Sequence, residues 1–404
     1  MSFDETIDET ELLEHFNHLA PEMGDRDYFH RALERLRGAA NGVVRSDQHE
    51  GFWVATRYED VLAIAQDWEG FSSEHGITVP PRESPLPAIP EMVDPPLHRE
   101  YKRLINRFFT PVQVLEHEEA TRAIVNQLID EFITEGRCDF MEAFANPLPG
   151  LVFFEEFLHA PSEELAEVNR LATAASTPNT PSAIDARREM IGWIFGFIER
   201  RRAAEPIDDV IDAVLNAEID GRAITDLEAV GIIQLLLFGG LDTTAGALGT
   251  MMLWFAKQPE IAQRLRAEPE LIPTAIEEML RLDGPFAFIG RRATRDIEVG
   301  GAAICEGDMV VVSWAAANRD PNEFGCPAEF DLDREGNRHI AFGAGPHRCA
   351  GSNLARMNLR IAVEELLRRL SDVRLATGEV HFHPGYSRAP SAIEIEFTPA
   401  ERES

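Results

Sequence analysis

Three groups of residues in this 404-residue chain have types and spacing suited to chemistry. The first is Phe342-Gly343-Ala344-Gly345-Pro346-His347-Arg348-Cys349-Ala350-Gly351, a glycine-rich loop that ends on one cysteine where a long helical pattern begins. A thiolate at a helix N-terminus is stabilised by the positive end of the helix dipole. Gly343, Gly345 and Gly351 permit unusual backbone angles and let the loop lie flat against something large. A soft, shielded sulfur anion suits several soft-metal or nucleophile roles, among them axial ligation of a haem iron. The second group is Phe238-Gly239-Gly240-Leu241-Asp242-Thr243-Thr244. Adjacent glycines inside a helix cost about 1 kcal/mol each against alanine, and they make room at the backbone. Asp242 beside Thr243 sets a carboxylate next to a hydroxyl, the parts of a proton relay. Close helix packing around a satisfied polar pair accounts for the same residues. The third group, Glu278 and Arg281, lies three apart on one helix face; such a pair alone is commonplace and structural.

These groups need elements to carry them. Thr225 and Glu228 form a capping box, apolar residues run almost all round from Val230 to Phe255, and Pro259 ends the pattern. About 32 helical residues span roughly 48 Å, so this helix is expected to be buried, with a kink at Gly239 and Gly240. A hairpin is expected over Val43–Tyr58, followed by a helix over Glu59–Gln66. Residues 77–96 hold seven prolines among Ile77, Val79, Leu86 and Ile89, and read as a packed loop without regular structure. Thr110-Pro111 starts another helix, and 173–181 reads as a polar break. Short strands are expected over 286–290 and 297–314 and in a tail over 380–397. The fold class is therefore α+β and predominantly α-helical. We read 1–404 as one domain with an acidic, flexible stretch at 1–14.

Composition narrows the function classes. Thirty-eight basic against 70 acidic residues give a net charge of -32, which disfavours nucleic acid and anionic membranes as partners. Cys138, Cys305, Cys326 and Cys349 include no CxxC pair, so neither a disulfide framework nor a zinc cluster is expected. No apolar run reads as a membrane span and the N-terminus does not read as a signal peptide, giving a cytoplasmic expectation without a membrane anchor.

Taken together, the three groups resemble the cytochrome P-450 superfamily, the haem-thiolate monooxygenases, over essentially the whole chain. The cysteine loop matches the FGxGxHxCxG pattern, the central stretch resembles GGxDTT, and Glu278…Arg281 resembles ExxR. The resemblance implies a haem b cofactor with Cys349 as proximal iron ligand and Phe342 and Gly351 in its loop. It implies that Gly239 and Gly240 lie over the haem and that Asp242 and Thr243 deliver protons to dioxygen. It implies His98, Lys102, Arg291 and His347 as haem propionate partners, although the position of Lys102 is more often arginine, and lysine cannot bond bidentately. Glu278 and Arg281, with Arg334, resemble the structural brace of the cysteine loop. By analogy Ile77, Val79, Leu86, Ile89, Leu236, Ala287, Phe288 and Ile289 surround the substrate.

The expected reaction is hydroxylation of a small to medium hydrophobic, perhaps terpenoid, substrate by a monomer. The chain carries no dinucleotide fingerprint, so electrons are expected from elsewhere, and the resemblance to soluble bacterial members implies an external 2Fe-2S ferredoxin with its NAD(P)H-dependent reductase. Arg99, Lys102, Arg103 and Arg107, with Arg356 and Arg360, read as the docking cations. Peroxygenase, dehydratase or C–C coupling chemistry is the enzymatic alternative, and a non-catalytic haem-thiolate sensor the other; the Asp242–Thr243 pair argues against both.

Overall fold

Thr225 accepts a hydrogen bond from the Glu228 backbone while the Glu228 carboxylate accepts one from the Thr225 backbone, and the chain then runs helical for 32 residues, Asp226–Lys257. This central helix belongs to the second of two compact units in the computed structural model, which describes residues 8–403 except 83, 177–179 and 377. The second unit comprises Arg82–Ile272, Cys349–Ala376 and Glu394–Ser404. Its helices Pro147–Phe153, Pro181–Ala203 and Ser352–Arg369 pack against the central helix, with Phe153, Phe197 and Leu354 buried. A three-stranded sheet of Arg137–Asp139, Glu394–Thr398 and Ser371–Leu375 closes its edge. The helix runs unbroken through Gly239 and Gly240, so the expected kink does not interrupt it.

The central helix is long and apolar enough to cross a membrane, which corrects the expectation drawn from run length. Its apolar residues are nonetheless mostly buried against the helices around it.

The first unit comprises Met1–Pro81, Pro273–Arg348 and Thr377–Ile393. Strands β1 (Val43–Ser46), β2 (Phe52–Ala55), β3 (Phe71–Ser72), β4 (Phe288–Ala293) and β5 (Met309–Ser313) form one sheet in the order β1-β2-β5-β4-β3. β5 pairs parallel to β2, with Val311 opposite Val54, and antiparallel to β4, with Val311 opposite Gly290. β-branched residues suit this central position, because Val310, Val311 and Val312 are all buried.

The hairpin, the following helix (Tyr58–Gln66) and the Thr110 cap stand as expected. The helix Leu165–Ser176 runs through the first four residues of the expected polar break, 177–179 lie outside the described residues, and Pro181 already starts the next helix. Of the acidic stretch expected to be flexible, 1–7 lie outside the described residues, and Glu9–His15 is helical, capped by Asp8, with Leu12 in the core. Arg291 lies inside β4 rather than after a strand. The tail is less regular than expected: before Glu394–Thr398 it shows single bridges at Phe382 and Ser387.

Candidate active site

The first unit builds the loop that leads to the cysteine. Glu278 and Arg281 lie on the helix Ile272–Asp283 and are fully buried. Arg281 donates from Nε and Nη2 to the two Glu278 carboxylate oxygens, each at 2.8 Å. Arg334 Nε donates to the same oxygens at 2.9 and 3.1 Å. Asn337 Nδ2 and the backbone N–H of Asp331 also donate to Glu278, at 3.2 and 3.1 Å. Burial pushes the Glu278 carboxyl pKa up, and the Arg281 and Arg334 bonds more than reverse this, so it lies below its ordinary value. The remaining Arg281 donors hold the carbonyls of Asn318, Pro327 and Glu329 at 2.7–3.1 Å. The trio is therefore a brace on the segment entering the cysteine loop. Asn337 is a member that spacing did not reveal, because its partner is 59 positions away.

Beyond the brace, Gly343 and Gly345 adopt φ of 73° and 68°, which few other residues tolerate. A Cβ on Gly345 would lie 2.2 Å from the carbonyl oxygen of Ala65, so this glycine also seats the loop on the helix Tyr58–Gln66. His347 Nε2 lies 3.3 Å from Ser73 Oγ, and Arg291 is buried, donating to its neighbouring carbonyl Gly290 at 2.8 Å. Phe342 is half-buried. Ile77 is sewn to β4 by the Gly290 N–H at 2.7 Å, and the Val79 N–H donates to the Tyr386 hydroxyl. Val79, Ala287 and Phe288 belong to a buried core with Phe16 and Phe29, so they are packing residues rather than an open lining; Phe288 and Ile289 face opposite sides of β4.

The second unit carries the other half of the predicted residues. Cys349 is exposed, three residues before the helix Ser352–Arg369, with Gly351 at its N-cap. Cys138, by contrast, is a partly buried thiol whose pKa burial pushes up to about 12, leaving it inert near neutrality. His98 and Lys102 share a face of the helix Leu97–Asn106, His98 buried and Lys102 half-buried. In the central helix, Leu235, Phe238, Gly239, Gly240, Asp242 and Thr243 keep exposure within a stretch that is otherwise buried. Gly239 is exposed, and no atom lies within 4 Å of where its Cβ would be; Gly240 takes the Phe153 ring at 3.5 Å. Thr243 Oγ1 donates to the Gly239 carbonyl at 3.0 Å, which spends the hydroxyl proton and leaves the oxygen able to act as an acceptor. Leu236 is buried, Leu86 half-exposed and Ile89 buried, whereas Leu235 and Phe238 are the half-exposed apolar residues that sequence reading missed.

The exposed thiol of Cys349 at a helix start, and separately the bare backbone at Gly239 beside Asp242 and Thr243, are the residue types that suit a haem with a thiolate ligand. The chain belongs to the cytochrome P-450 family, whose profile matches residues 87–373. It is 36% identical to nocardicin C N-oxygenase of Nocardia uniformis subsp. tsuyamanensis, covering 82% of this chain and 85% of that one. It is 32% identical to the polyketide biosynthesis cytochrome P-450 PksS of Bacillus subtilis, covering 80% and 83%. The solved structure of cytochrome P450 CYP109Q5 from Chondromyces apiculatus superposes with a TM-score of 0.86 at 28% identity, over 96% of this chain and 100% of that one. Members bind haem b through a cysteine thiolate and act as monooxygenases with dioxygen, a substrate and a redox partner.

Proposed function

We propose that this enzyme hydroxylates a small to medium hydrophobic substrate, terpenoid in character, with Cys349 as the haem ligand and a 2Fe-2S ferredoxin with its NAD(P)H-dependent reductase as electron source. When bound, haem supplies dioxygen activation and C–H oxidation. His98, Lys102, Arg291 and His347 are the donors for its propionates. The observation that carries the proton assignment is the Thr243 hydroxyl on the Gly239 carbonyl, beside the half-exposed Asp242. Thr243 then accepts and orients a proton donor at its oxygen, and Asp242 exchanges protons with solvent. The relatives' names, a nocardicin oxygenase and a polyketide enzyme, differ in substrate, so the hydrophobic reading rests on the half-exposed Leu235 and Phe238 of the central helix; Ile289, like Val79, is a core residue. A net charge of -32 opposes self-association, in keeping with a monomer.

The reduced protein under carbon monoxide should show the red-shifted thiolate-type Soret band, and Cys349→Ala should lose it; an unchanged band sinks the ligand assignment. Thr243→Ala should keep the band and divert at least half of the consumed electrons to hydrogen peroxide. Product formed per electron as in the parent would remove Thr243 from the relay.

Ferredoxin docking falls to Arg99, Arg103 and Arg107, all exposed, beside the exposed apolar pair Val112 and Leu115 (71% and 57%). Arg360 is not part of this face: it is held by Glu118 at 2.8 Å and Glu364 at 2.9 Å. Reversing charge at Arg103 and Arg107 should slow reduction by an acidic ferredoxin about tenfold and flatten its salt dependence. Stopped-flow rates that match the parent at every salt concentration would exclude this face.

A further inference from the structure

We propose that Gln234 is a specificity-determining residue, whose side-chain carbonyl accepts a hydrogen bond from a hydroxyl or N–H group on the substrate. The proposal rests on the monooxygenase reading above and narrows its substrate class to hydrophobic molecules that carry a donor.

Gln234 lies on the central helix between Ile232, Ile233, Leu236 and Leu237, all buried. It is itself only 5% exposed, and its Oε1 is buried with no hydrogen-bond partner among the described residues. Leaving such an acceptor unmet costs about 1–3 kcal/mol, which a leucine at the same place would avoid. A ligand donor offsets that cost; packing alone does not.

Position on the helix points the same way. At 3.6 residues per turn, Gly231, Gln234, Phe238 and Asp242 fall within an arc of about 80°. The proline-rich loop sits on one end of this stripe. The Ile89 N–H donates to the Gly231 carbonyl at 3.2 Å, and a Cβ on Gly231 would lie 2.7 Å from the Pro87 carbonyl oxygen. At the other end Phe238 and Asp242 are half-exposed. Gln234 is thus the polar group between the loop and the relay position. It stands eight residues before Asp242, about 12 Å along the axis. A substrate engaging both reaches that far, with its donor at the end remote from the oxidised carbon.

The test uses the haem-loaded protein and two alcohol–hydrocarbon pairs long enough for that span: dodecanol against dodecane, and farnesol against β-farnesene. Dissociation constants are read from the haem absorption shift and, independently, from the rise in melting temperature. The parent protein should bind each alcohol about tenfold more tightly than its hydrocarbon, the worth of one neutral hydrogen bond. Gln234→Leu should bind the two equally, with hydrocarbon affinity kept and no fall in melting temperature. Gln234→Met, which also lacks the acceptor, provides the same comparison should the leucine variant not take up haem. An alcohol preference that survives in the variant, or a parent protein without one, overturns the proposal. Loss of the thiolate-type carbon monoxide band in the parent overturns the underlying haem reading instead, so the two failures are told apart.

Discussion

Glu278→Gln should destabilise the protein by about 3–5 kcal/mol, the cost of removing one partner from a buried ion pair. The carboxylate takes two hydrogen bonds from Arg281 and two from Arg334, at side-chain exposures of 0% and 8%. An amide keeps the shape but supplies one acceptor oxygen and no charge. Two guanidinium groups are then buried against an amide nitrogen that is itself a donor. The comparison is Glu364→Gln, which removes the same charge from a pair 29% exposed on the Glu364 side. Solvent screens that site, and its loss should stay within about 1 kcal/mol. Because the brace also holds Asp331 and the carbonyls of Pro327 and Glu329, the first variant should lose haem on mild heating before it unfolds. Denaturant melts of both variants give the measurement; equal losses would show that burial is not what makes this brace strong.

A second large effect is acid lability between pH 6.5 and 5. His18 is fully buried among Phe16, Phe52, Phe288 and Tyr386, whose rings lie 4.8–6.5 Å away. Burial, with the nearby His49, pulls its pKa from 6.5 down to about 3. The folded state therefore prefers the neutral ring. Its contribution is fully present above pH 6.5 and is lost as pH falls through 6.5 toward 3. At roughly 1.4 kcal/mol per pH unit, His18 alone removes about 2 kcal/mol by pH 5. His30 adds to the same limb. Burial and the cations Arg319 and Arg26 lower its pKa despite its 2.8 Å contact with Asp283. Lowered carboxylates such as Glu278 lose their contribution only below about pH 4.5, so they do not mask this window. His18→Leu should flatten the acid limb by about 2 kcal/mol between pH 6.5 and 5. An unchanged slope in urea melts would show that His18 does not carry it.

How much of this was legible in the sequence depends on the range of the interaction. The central helix was, because its capping box and apolar run are local and the helix obeys the same spacing in sequence and in space. The cysteine loop was too, since Gly343 and Gly345 report the positive φ they adopt. The pairing of Glu278 with Arg281 was visible at three residues' spacing, but the role of Asn337, 59 residues off, was not. Side-chain direction was the main failure. Val79, Ala287 and Phe288 read as pocket residues and are core, because an apolar side chain is the same type whether it lines a pocket or fills the core. Arg360 read as a docking cation and is spent on Glu118 and Glu364, contacts that helix packing creates.

The family and the cofactor follow from the sequence alone, since both reside in short motifs whose residue types the chemistry dictates. Tertiary structure alone decided which apolar residues are core, which cations remain exposed, and which polar group is buried without a partner. Those properties arise from the packing of distant segments, where free energy depends on what surrounds a side chain and not on its type. Gln234 shows the difference: in the sequence it is one polar residue in an apolar helix, and in the fold it is an acceptor that the described protein leaves unmet.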